Sequence, residues 1–136
     1  MVCPIVKDIF FLSQKAEPAG KADFQTAQNL LDTLKAHETE CVGLAANMIG
    51  VRKAIIAVHM GFADVAMLNP SVTRKSGAFE TEEGCLSLVG TRKCTRYHEI
   101  EVAYQDMQLR WQKRKFSGWT AQIIQHEIDH LNGIVI

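Results

Sequence analysis

The chain has 136 residues, 47% of them hydrophobic and 22% charged, with nine glycines and three prolines. That is one domain's worth of chain, residues 1–136, able to bury roughly two thirds of its unfolded surface without disulfide staples, and the composition excludes disorder and low complexity. Fifteen basic residues balance fifteen acidic ones, so no global field gathers nucleic acid or anionic membrane, although a local patch stays open.

The first residues, Met1 to Asp8, hold no basic stretch followed by a long apolar core, and no apolar run approaches the roughly 20 residues of a membrane span. No signal peptide and no membrane partner are therefore expected, and the predicted location is cytoplasmic. Gln14 to Ala22, with Pro18 and Gly20, reads as a surface loop. From Asp23 to about Thr39, Phe24, Ala27, Leu30, Leu31 and Leu34 recur at helical spacing, with Asp23 as N-cap or first-turn residue. Ala54 to Val58 suits a short buried strand, and Val65 to Leu68 a second, ended by Asn69-Pro70. His98 to Gln105 alternates, with Ile100, Val102 and Tyr104 on one face. Its hairpin partner runs from Leu109 and Trp111 to Lys115, turned around Asp106-Met107. Gly118 to Leu131 is predicted helical, stopped by Asn132-Gly133. A helix, several short strands and a late helix make an α+β domain.

The late helix carries Gln125-His126-Glu127-Ile128-Asp129-His130. Histidines four apart on a helix share a face one turn apart. Both imidazoles can then converge on one cation, while the intervening glutamate reaches a water bound to it. Trp119 and Ile123 continue the same stripe, and Ile124, Ile128 and Leu131 form an adjacent one, so the helix is expected to be buried. The plainer alternative is a pair of hydrogen-bonded core histidines with Glu127 salt-bridged. A catalytic divalent site takes three protein ligands and leaves a position open. No His or Glu follows His130, so the third ligand comes from upstream. Cys85 is the best candidate, beside Gly84, where backbone can approach closely. Cys3, Cys41 and Cys94 are expected as thiols.

Three segments, in this order and spacing, resemble the signature motifs of peptide deformylases. They are Gly43-Leu44-Ala45-Ala46-Asn47-Met48-Ile49-Gly50, Glu83-Gly84-Cys85-Leu86-Ser87, and Gln125 to His130. Leu68-Asn69-Pro70 and Lys75-Ser76-Gly77 also look like family text. The resemblance implies antiparallel β-sheets packed around a central metal-binding helix, and removal of the formyl group from the formyl-methionine of new polypeptides. It implies Cys85, His126 and His130 as ligands of one divalent metal, with water in the fourth position. Ferrous iron is the family's usual metal, often replaced by zinc or nickel in purified protein. Glu127 would shuttle the proton, and the metal and the Leu86 backbone N–H would stabilise charge on the formyl oxygen. Val42, Trp119 and Ile123 would receive the methionine side chain, Gly43 would bond the peptide backbone, and Arg92 is a further candidate for doing so.

The chain also departs from the family's first motif, G-x-G-x-A-A-x-Q. Cys41 replaces the first glycine and Met48 the glutamine. A thioether cannot donate to an oxyanion, and losing one such donor typically costs roughly 10²–10³ in rate, so a weakened deformylase is expected. Asn47, one residue away, should point elsewhere. Val89 stands where the family often has proline. The chain ends at Ile136, without the C-terminal extension by which some members dock on the ribosome, so at most a transient ribosome contact is expected. The basic cluster Arg110, Lys113, Arg114 and Lys115 reads as a solvated hairpin face. Three alternatives stand beside the main reading: a metalloprotein that binds an N-acyl or peptide ligand with little turnover, a hydrolase of another small N-acyl amine, and a closed zinc site completed by Cys41 or Cys94.

Overall fold

A computed structural model describes residues 1–85 and 89–134. Five strands form one antiparallel sheet in chain order: β1 (Gly43–Ala45), β2 (Ile55–His59), β3 (Asp64–Glu83), β4 (Arg92–Gln105) and β5 (Trp111–Ser117). Three α-helices join it: α1 (Ile9–Leu12), α2 (Phe24–Ala36) and α3 (Gly118–Leu131). Helix α1 is a single short turn without a periodic signal of its own. Its first amides are met by the Asp8 side chain, which accepts from Phe10 N at 3.0 Å.

Helix α2 buries Ala27, Leu30, Thr33 and Leu34. It ends at Ala36, short of the expected Thr39, because His37 onward turns, with Cys41 N returning to His37 O at 3.0 Å. Phe24 lies at its exposed start and not on the core stripe. Helix α3 matches its expected bounds. Gln125 docks it on β4 by accepting from Tyr97 N at 2.8 Å and donating to Tyr97 O at 2.9 Å. From Ile55 to Val58, β2 is buried on both faces, as a central strand covered on either side should be. Ile100, Val102 and Tyr104 of β4 face the core as the alternation predicts.

The largest departure is β3. It does not stop at Asn69-Pro70 but continues to Glu83. Pairing with β4 shifts register between Leu68 and Ser71, so Pro70, which lacks an N–H, falls where the ladder is interrupted. Asn69 takes a positive φ of 50°. Its side chain is held from several sides, accepting from Ala19 N at 2.8 Å and donating to Ala19 O at 2.9 Å and Gln105 Oε1 at 2.7 Å. The turn into β5 spans Asp106 to Arg110, and Leu109 belongs to it, with φ 63°, rather than to the strand. Among the described residues no helix is long and apolar enough to cross a membrane.

Candidate active site

Helix α3 buries His126, Glu127 and His130. The two imidazole centroids are 4.6 Å apart, and one ligand atom from each of the three residues lies within 4.8 Å of the others. The extension of β3 past Pro70 delivers Glu83 and, just beyond, Cys85. Cys85 lines a cavity of about 820 Å³ together with His126 and Glu127, and borders a smaller void with His130. The opposite wall comes from Val42, Gly43 of β1, and Met48 of the 3₁₀ turn Ala46–Ile49.

His126 is oriented from behind. Its Nδ1 donates to Glu83 Oε1 at 2.7 Å. A carboxylate only accepts, so the proton sits on Nδ1 and the lone pair on Nε2, the arrangement that metal-binding histidines adopt. Burial opposes a charge on His126, but the Glu83 hydrogen bond and the charges of Glu127 and Glu83 outweigh it and raise its pKa. Burial would likewise raise the Glu83 carboxyl. Hydrogen bonds from His126, Arg96 and Gln122 prevail and hold it at about 2. Arg96, only 3% exposed, joins Glu83 at 2.7 Å to Asp129 at 2.7 Å.

Glu127 Oε1 is buried and, among the described residues, makes no hydrogen bond. It faces His130 Nδ1 at 3.5 Å, within ion-pair reach but too long for a good hydrogen bond. An orphaned carboxylate oxygen at this depth is costly, and it suits a cation with its water, or a substrate. Two imidazoles, a carboxylate and a nearby thiol form a donor set that fits a divalent transition metal without choosing among iron, zinc and nickel. Gly43 makes the carboxylate's position possible. A Cβ there would stand 2.9 Å from Glu127 Oε2 and 2.8 Å from Ile123 Cγ2.

Of the residues singled out from sequence, Val42, Gly43, Met48, Trp119 and Ile123 all line this cavity. Trp119 is 61% exposed and so forms its rim; the stripe expected to be buried throughout opens to solvent at that end. Asn47 turns away, donating to His130 O at 3.0 Å, and does not supply the donor that Met48 lacks. Arg92 begins β4 opposite Glu83 and is not among the described lining residues. Leu86 lies outside the described residues. Cys41 lines the cavity too, its thiol pushed up to about 11 by burial and by the charge of Glu127. The tight group among the described residues is His126, Glu127 and His130; Cys85 lines the cavity beside it without entering it, and Cys41 and Cys94 do not enter it either. Lys113, Arg114 and Lys115 are exposed on β5. Sequence reasoning missed Arg96, Gln122 and the orienting role of Glu83. The one available signal was Gln122, four residues before His126 and hence on its face.

Residues 3–136 match the sequence family described as polypeptide deformylase. The chain is 54% identical to a peptide deformylase of Clostridium beijerinckii over 136 residues, covering the whole of both chains. The crystal structure of a peptide deformylase from Thermus thermophilus superposes with a TM-score of 0.87 at 34% identity, over 98% of this chain and 83% of that one. A Met-Ala-Ser-bound peptide deformylase from Acinetobacter baumannii gives a TM-score of 0.87 at 30% identity, over 99% of this chain and 97% of that one.

Proposed function

The chain belongs to the polypeptide deformylase family, and from that premise we propose that it is a metal-dependent hydrolase removing the N-formyl group from the formyl-methionine of nascent polypeptides. The observation that carries the reading is Glu127: a buried carboxylate beside two histidines of one helix face, with an oxygen that no described residue hydrogen-bonds, in a peptide-sized cavity. A fold that only bound its ligand would gain nothing from that costly group, so turnover is favoured over a binding role.

Cys85, His126 and His130 are the proposed ligands, with ferrous iron the proposed metal in the cell. A divalent cation held by these residues would supply Lewis acidity, lowering the pKa of water and polarising the formyl carbonyl. Glu127 takes a proton from the attacking water and returns it to the amine nitrogen as the C–N bond breaks, leaving formate and a free N-terminus. Glu83 fixes the His126 ring throughout. The Leu86 backbone N–H is the proposed donor to the carbonyl oxygen. Among the described residues β1 pairs only with β2, so its outer edge can bond an extended peptide as an added strand. Val42, Trp119 and Ile123 are the proposed receivers of the methionine side chain, and Arg92 is a proposed partner of the peptide backbone. This reading carries with it a cytoplasmic location and a transient encounter with the ribosome, where nascent chains emerge.

The test is deformylation of a formyl-Met peptide by anaerobic, iron-loaded protein, beside Glu127→Gln. The variant should keep metal and fold while losing about 10²–10⁴ in rate. An inactive wild type, or a variant as active as the wild type, would remove the proposal.

A further inference from the structure

Gln122 joins the wall assigned above to the methionine side chain. It lies on α3 between Trp119 and His126 and lines the same cavity. Its Nε2 donates to Glu83 Oε2 at 2.8 Å. Both Glu83 oxygens also accept from Arg96, so the amide meets them with its nitrogen and the contact decides which end of the amide faces Glu83. One N–H is thereby consumed, and among the described residues no other hydrogen bond of the Gln122 side chain is made. Thr81, two residues before Glu83 and on the same strand face, also lines this wall. The pocket that would take a methionine side chain is therefore apolar on the Val42, Trp119 and Ile123 sides and polar at Gln122.

We infer that Gln122 is a specificity residue that donates its second N–H to the sulfur of the substrate's methionine. This rests on the deformylase reading and on that placement of the methionine side chain. A thioether sulfur is a weak acceptor, and a methylene in its place accepts nothing. Norleucine matches methionine closely in shape, so a wholly apolar pocket would hold the two alike. Here norleucine sets a methylene, which accepts nothing, against the amide N–H of the half-buried Gln122, and the contact that favours methionine is lost. Glu83 already pins the amide, so no side-chain ordering is lost on binding.

The experiment compares Met-Ala-Ser with norleucine-Ala-Ser by calorimetry on zinc-loaded protein, and their formylated forms by kcat/KM on iron-loaded protein. The wild type should prefer methionine by about threefold to tenfold, the value of one modest hydrogen bond. Gln122→Leu and Gln122→Ala should each bring the ratio close to one. A residue acting only through Glu83 and His126 would slow both peptides equally and leave the ratio intact, and that result overturns the inference. So does a wild type that binds neither peptide or does not distinguish them. If the product peptides show the expected ratio but the formylated ones are not hydrolysed, the hydrolase reading fails while the Gln122 assignment stands. Normal hydrolysis with an unchanged ratio in both variants sinks the Gln122 assignment alone.

Discussion

Two residues at the cavity wall decide how well Glu127 can work. Met48 is 1% exposed, and its backbone is held by Val6 N, which donates to Met48 O at 2.8 Å. The side chain at this position therefore has a fixed origin, and a glutamine there would project into the same cavity. Met48→Gln is expected to raise kcat more than it changes KM, by at most about 10²–10³, since the added donor acts on charge that develops in the transition state. With no substrate present the buried amide lacks a partner, so the variant should also lose about 1–3 kcal/mol of stability. Steady-state kinetics and urea denaturation of both proteins check the two halves; an unchanged kcat with the amide seen in the cavity would defeat the oxyanion argument. Gly43 acts from the other side. A methyl at this position collides with Glu127 and Ile123, and displacing a reacting group by about an ångström can cost about a hundredfold. Gly43→Ala should therefore lower kcat by about that factor while the metal stays bound, as measured by kinetics beside metal analysis. Loss of metal instead would mean that Gly43 supports the ligands rather than the carboxylate.

At the scale of elements, the end of β3, the start of β4 and the last turns of α3 are tied by charge rather than by apolar packing. Arg96 reaches Glu83 and Asp129, and Glu83 in turn holds His126 and Gln122. Removing the cation leaves buried carboxylate without its partner. Arg96→Met is expected to cost about 3–5 kcal/mol in urea denaturation, and to weaken metal binding about 10–100-fold by loosening the group behind His126. A stability loss with unchanged metal affinity would confine Arg96 to a structural role. This network was not legible in the chain. Its partners lie 13 to 43 residues apart, and each resembles an ordinary surface polar residue until the pairing of β3 with β4 brings Glu83 within reach of Arg96 on the neighbouring strand.

For the whole molecule, the candidate metal site joins the end of β3 to α3, beneath the wall that β1 provides. A cation bound only by the folded chain adds stability by mass action, about 2.7 kcal/mol at a hundredfold excess over its Kd. In a domain of this size that corresponds to roughly 10 °C in Tm. Treating the loaded protein with a chelator should lower Tm by about this much, while Cys85→Ala should be little affected. Equal Tm values before and after chelation would argue against a metal that links these elements. Helices α2 and α3, the alternation of β4, and the histidines with their glutamate were all legible in the chain, because helical and strand periods are set by near neighbours. The order of the three motifs also identified the family. That β3 runs through Asn69-Pro70 emerged only from the folded arrangement, because a bulge against β4 takes up the missing N–H. That continuation carries Glu83 to His126, and the long-range pairing it creates holds Gln122 and fixes which nitrogen of the histidine faces the cavity.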